Sequence, residues 1–214
     1  MVISSRNGEM TTTTNNVAAR VQVFKHVTRD RILEIGDMLS LEARRSKIAI
    51  TLVEFDPESH RAQARVRHFV DASDFKLVCW DILNGLFTEW TDHKGSPTGD
   101  GTVQARVLTL RKDVKYRQPY VLKIDNGDGE TMNGGAVKMV QATESLTLLL
   151  PEFDARRLAM TVLDYIRDWE TVNFRRRQEA QTVVIPMPHA AAQPEAAVEE
   201  APAPATRRRT KVAA

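Results

Sequence analysis

The chain has 214 residues, with 30 Lys and Arg against 28 Asp and Glu, so net charge names no partner and electrostatics must be read from where charges cluster. A single cysteine, Cys79, excludes an internal disulfide and a cysteine-based zinc centre. The opening MVISSRNGEM lacks the apolar stretch of a signal peptide, and no apolar run reaches the roughly 18 residues of a membrane span, so the expectation is a cytoplasmic protein without a membrane partner.

Residues 1–20, which include TTTTNN, hold few large apolar side chains and read as a disordered N-terminus. Residues 21–45 form a lead-in with a mixed signal. Val21, Val23, Ile32, Leu33, Ile35, Met38, Leu39 and Leu41 fit either a short helix or an extended strand. A core domain is expected over 46–178. In KIAITLVEF, Ile48, Ile50 and Leu52 alternate with Ala49, Thr51 and Val53, the pattern of a strand covered on both faces. Asp56, Pro57, Glu58 and Ser59 supply turn chemistry. RAQARVRHFV then alternates strictly, with Ala62, Ala64, Val66, His68 and Val70 on one side and Arg61, Gln63, Arg65, Arg67 and Phe69 on the other. Together these stretches predict a hairpin.

Asp71, Ser73 and Asp74 are candidate caps for a helix with Phe75, Val78, Cys79, Ile82 and Leu86 on one stripe. DHKGSPTGDG, residues 92–101, is a loop by composition. Val103–Leu110 and Tyr120–Ile124 predict a second hairpin joined by RKDVKYRQP, and residues 125–135 a glycine-rich loop. The run Leu146–Leu150 is a strand that Pro151 stops, and acidic Glu152 and Asp154 then open a long helix to Arg177. Ala155, Leu158, Ala159, Val162, Tyr165, Ile166, Trp169 and Val172 recur along it at helical spacing, which predicts a largely buried Trp169. The order is ββα-βββα, an α+β fold of antiparallel hairpins with two helices. Residues 179–214, rich in Ala, Pro and Glu with a basic TRRRTK tip, read as a disordered tail.

Enzyme chemistry finds no foothold. DNGDGETMNGG has the glycine spacing of a phosphate-binding loop at Gly129 and Gly134, but Gly135 and Ala136 stand where Lys and Ser or Thr are required. Met132 breaks the dinucleotide pattern, and the acidic spacing of a calcium loop is absent. His26, His60, His68, His93 and His189 are scattered, and Cys79 lies on an apolar stripe. No catalytic residue, metal site or cofactor is expected.

Charge placement says more. Arg61, Arg65 and Arg67 share a strand face with Phe69, and Arg111, Lys112, Lys115, Tyr116 and Arg117 surround the turn of the second hairpin. Arg106 and Lys123 are further basic strand positions. Cations that meet phosphates, interleaved with rings that stack on bases, suit single-stranded nucleic acid. The plainer alternative is a solvated face whose Arg stems cover apolar surface, diluted by Glu54, Asp56, Asp113 and Asp125.

LTLLLPEFDARRLAMTVLDYI, residues 146–166, preceded by hairpins with basic faces, resembles the small single-stranded-DNA-binding domains of the Whirly and transcriptional positive-cofactor type. The resemblance implies curved antiparallel sheets followed by a helix that supports the sheet or a dimer, and single-stranded DNA as the partner. It extends over Ser46–Arg177 in the order of elements and transfers no individual residue. Two alternatives stand beside it. One is an interaction or self-assembly module pairing through Tyr165, Trp169, Val172 and Phe174; the other is a ligand binder or enzyme with a pocket beside Asp125, Asn126 and Asp128.

Overall fold

The computed structural model describes residues 21–98, 101–133 and 135–181. The expected disorder of residues 1–20 and of the tail from Thr182 onward lies outside the described residues.

The ambiguous lead-in forms a hairpin. β1 (Gln22–Val27) and β2 (Arg31–Met38) pair antiparallel, and Phe24, Leu33 and Ile35 alternate inward. Thr28 closes the turn, its amide donating to the Arg31 carbonyl at 2.8 Å and its hydroxyl accepting the Arg31 amide at 3.0 Å. β3 (Lys47–Phe55) and β4 (Ala62–Asp71) follow as the expected hairpin. Its turn is held by the Asp56 carboxylate, which accepts the Glu58 amide at 2.8 Å.

α1 (Ala72–Asn84) buries Phe75, Val78, Cys79 and Ile82, and Gly85 ends it at φ 72°, the left-handed conformation that favours glycine. Asp71 stands at its N-cap without a capping hydrogen bond, because its carboxylate is taken by Lys47 and Lys94. The second half comprises β5 (Glu89–Pro97), β6 (Val103–Lys112), β7 (Tyr120–Thr131), β8 (Val137–Leu150), α2 (Glu152–Val172) and α3 (Phe174–Gln181). Two four-stranded antiparallel sheets result, ordered β1-β2-β3-β4 and β5-β6-β7-β8. The fold class is α+β as expected, with four strands rather than two before the first helix and four rather than three after it.

The extra strand in the second half takes residues 92–97 of the stretch 92–101 expected as a loop. Its alternation is polar and is satisfied across the sheets rather than by apolar burial. Asp92 meets the fully buried His68 of β4 at 2.7 Å, and Lys94 reaches Asp71 at 2.8 Å and Asp92 at 3.2 Å. Burial opposes the charged form of Asp92, but the His68 hydrogen bond and the Lys94 ammonium outweigh it and hold the carboxyl below its usual range; Asp71 is lowered against burial in the same way by Lys47 and Lys94. Depressed carboxyls bind protons more readily unfolded than folded, so their stabilisation is present above the ordinary carboxylate pKa and is lost as pH falls through the lower folded value. Denaturant titrations from neutral pH into the acid range should show this loss, and Asp92→Asn should flatten it. An unchanged acid slope in that variant would remove Asp92 from the account.

The glycine-rich stretch is also mostly strand. β7 runs through Thr131, and beyond it the Met132 amide donates to the Ala136 carbonyl at 2.7 Å. Bulges at Asn126/Gly127 and Asp128/Gly129 let β8 curl closely over its neighbours. A Cβ at Gly127 would lie 2.0 Å from the Gln141 carbonyl oxygen, and one at Gly95 of β5 would lie 2.3 Å from Val137. These glycines admit the close approach of neighbouring backbone and side chain.

Both helices cover the inner sheet faces, α2 burying Ala155, Leu158, Ala159, Val162 and Ile166. The expected continuation to Arg177 breaks at Asn173, whose side-chain amide donates to the Trp169 carbonyl at 2.9 Å and competes with the helical ladder. Residues 179–181, read as tail, complete α3. Trp169, expected from helical spacing to be largely buried, is partly buried, with Arg177 5.9 Å from its ring centroid.

Candidate functional site

β4 divides its side chains by the strand period. Val66, His68 and Val70 enter the core, while Arg65, Arg67 and Phe69 turn outward. The register sets Arg67 beside Thr51 of β3, which stands in turn beside Glu34 of β2. Arg67 Nε donates to Thr51 Oγ1 at 2.9 Å, so the guanidinium is anchored across the neighbouring strand.

β4 is an edge of the first sheet, and the second sheet stands against it. Arg106 of β6 is in register with Asn126 of β7, and Gln104 follows on the same face of β6. Arg65, Arg67, Phe69, Gln104, Arg106 and Asn126 together line one shallow groove of about 400 Å³. Arg106 donates to the side-chain Oε1 of Gln104, and the buried Asn126 Oδ1 has no hydrogen-bond partner among the described residues. Arg65 and Arg67 also border a second depression, of about 210 Å³, that runs across the first sheet past Glu34.

Three guanidinium groups, one phenyl ring and two amides thus surround an open surface. Arg forks match phosphate oxygens, a ring face accepts an unstacked base, and amides hydrogen-bond base edges. Acidic groups are few here: Glu34 in the adjoining depression, and Asp128, in register with Gln104.

The other basic positions named from sequence lie elsewhere. Arg61 is exposed just before β4, beside His60 at φ 54°. Arg111 is exposed opposite Glu89, while Lys115, Tyr116 and Arg117 occupy the exposed turn between β6 and β7. Lys112 pairs with Glu152 at 3.0 Å and lies 5.2 Å from the Tyr120 ring centroid. Six residue steps along β6 separate Arg106 from Lys112, about 20 Å at the strand rise. Lys123 pairs with Asp125 at 3.0 Å, away from the groove.

Of the helix residues assigned to self-assembly, Tyr165 donates to Asp37 at 2.8 Å, and burial together with that carboxylate pushes its phenol up to about 12. Trp169 is engaged by Arg177, while Val172 and Phe174 are 81% and 59% exposed. Of the residues grouped around a glycine-rich pocket, Asn126 enters the groove, Asp125 faces Lys123 and Asp128 is exposed. Gln104 and Asn126 are groove residues that alternation of charge did not single out. The strand period sets Gln104 beside Arg106, and the β6–β7 register brings Asn126 there.

No family model matches this chain, and no curated protein matches it. Whirly proteins are among the solved structures similar to it. WHY1 from Arabidopsis thaliana has a TM-score of 0.49 at 7% identity, over 77% of this chain and 94% of that one. WHY3 from Arabidopsis thaliana has a TM-score of 0.47 at 7% identity, over 73% and 95%. The plant transcriptional regulator PBF-2 has a TM-score of 0.48 at 10% identity, over 75% and 89%. Among the described residues no helix is long and apolar enough to cross a membrane.

Proposed function

We propose that this chain binds single-stranded nucleic acid, with single-stranded DNA as the first partner to test, along the groove between β4 and β6–β7. One observation carries the reading: Arg65, Arg67 and Arg106 converge from two sheets around the half-exposed ring of Phe69. Phosphates of an extended strand meet the guanidinium groups, and a base freed from its neighbours stacks on Phe69. A duplex keeps its bases stacked and presents no free ring face to that side chain. This geometry supports a preference for single strands.

A second reading rests on Val172 and Phe174, which leave apolar surface exposed at the junction of α2 and α3 and suit contact with another protein or another copy. The two readings separate in one measurement. Labelled single-stranded DNA, its RNA counterpart and the matching duplex are titrated with the full chain across a salt series. Tighter binding of the single strands, with log affinity falling linearly against log salt, is the expected result. No binding at low salt, or a duplex bound as tightly as the single strand, rejects the groove as a single-strand site.

A further inference from the structure

The two sheets share one apolar core, and burial of apolar area is non-directional, so it sets their relative position only loosely. Polar ties are directional, and two of those that cross between the sheets sit beside the cationic groove. His68 of β4 is fully buried, with its Nε2 2.7 Å from Asp92 Oδ2 of β5. The lowered carboxyl of Asp92 is ionised at neutral pH, so the ring nitrogen donates. Nδ1 of the same ring has no hydrogen-bond partner among the described residues. The second tie runs from Lys94 of β5, whose ammonium donates to Asp71 at 2.8 Å and meets Asp92 at 3.2 Å. His68 stands between Arg67 and Phe69 in sequence, and Asp71 shares their outward side of β4. Lys94 is in register with Arg106 of β6, which sets two cations on one face. Like charges so placed repel, and the carboxylates of Asp71 and Asp92 offset the Lys94 ammonium.

We propose that His68, Asp92, Lys94 and Asp71 form a clasp that fixes β5–β6 against β4, and so sets Arg106 at its distance from Arg65 and Arg67 across the groove. These four are positioning residues. His68 lies too deep to touch a ligand, and it acts on the groove through the strands it joins. A slip of about 1 Å between the sheets would carry its contact with Asp92 past hydrogen-bonding range. An apolar residue in its place keeps the burial and drops that directional demand, the exchange by which a buried polar pair confers a specific arrangement. The effect of the clasp on affinity rests on the reading of the groove as a single-strand site, whereas its effect on geometry does not.

Geometry is read first, in the full chain without nucleic acid. Gln63→Cys on β4 and Asp128→Cys on β7, both exposed, carry a nitroxide pair; Cys79 is fully buried, and burial pushes its thiol well above its usual range. His68→Leu is expected to broaden the distribution of distances between the labels. His68→Gln, whose amide restores a donor to Asp92, is expected to keep the parent width. Labelled single-stranded DNA is then titrated across a salt series with chains free of nitroxide. Arg106→Ala in the parent should lower the slope of log affinity against log salt by about 0.7, the share of one phosphate contact. His68→Leu should lower it as much, and adding Arg106→Ala to His68→Leu should lower it no further. His68→Gln should keep the parent slope. Simple loss of stability reduces the fraction of active chain and leaves the effect of Arg106→Ala intact. If His68→Leu does not fold, Asp92→Asn with Lys94→Met removes two opposite charges together at less buried positions, and the same distances and the same cycle with Arg106→Ala apply. Unchanged distances in the cut clasp, or an Arg106→Ala effect undiminished by cutting it, overturn the proposal. A parent chain without affinity for single strands rejects the groove's function instead, and the distances then decide the clasp by themselves.

Discussion

Replacing Arg65, Arg67 and Arg106 together by Ala is expected to reduce the slope of log affinity against log salt by about 2, at about 0.7 for each phosphate left without its cation on a single strand. Weakening should therefore be largest at low salt and shrink as salt rises. Phe69→Ala is expected to behave differently, losing about 1–3 kcal/mol of binding with the slope unchanged, because a stacked ring releases no counterions. The two signatures separate charge from stacking within one groove. Arg67 also holds the Thr51 hydroxyl at a site where Thr51 is only 3% exposed, so thermal melts must accompany the titrations. A fitting control is the pair Lys115→Ala and Arg117→Ala in the turn beyond β6, where a strand confined to the groove leaves the cations untouched. If that control removes as much salt dependence as the groove variant, binding tracks general positive charge and the assigned groove is wrong.

The second large effect is structural. Tyr120 is fully buried at the start of β7, stacked on Phe87 with ring centroids 6.0 Å apart, and covered by the Lys112 ammonium. Lys112 in turn holds Glu152 in the first turn of α2, so this ring joins the β6–β7 hairpin to the main helix. Tyr120→Ala should cost about 3–5 kcal/mol, the usual range for emptying a buried aromatic site. Tyr120→Phe should be near neutral, because the buried hydroxyl has no hydrogen-bond partner among the described residues. Denaturant midpoints of the two variants test the pair. A large loss in the Phe variant would mean that the hydroxyl makes an interaction the packing account lacks.

How much of this was legible in the sequence depends on which partner a residue's pattern reports. β3, β4, α1 and the start of α2 repeat apolar side chains at the period of their own backbone, because the faces they bury rest on an apolar core. Such a pattern is local, and the hairpin, both main helices and the sidedness of Arg65, Arg67 and Phe69 follow from it. β5 obeys the same period with Asp92 and Lys94, whose partners His68 and Asp71 lie on another sheet. Nothing within DHKGSPTGDG distinguishes that alternation from a polar loop. The glycines of β7 read as a loop for a related reason: the need for Gly127 comes from Gln141, which reaches it only after the hairpin has curled.

The cationic groove shows the same division. Alternation along one strand determined that Arg65, Arg67 and Phe69 share a side, since side-chain direction in a strand is set by backbone geometry alone. Which cations join them was decided by tertiary structure. Arg106, Gln104 and Asn126 arrive through the packing of the second sheet against the edge of the first, whereas the more densely basic turn at Lys115–Arg117 is carried to the far end of β6. Spacing in sequence measures distance along a strand, and the groove is built from distance between sheets, which is set by the register of β6 on β7 and by the packing of β4 across the core.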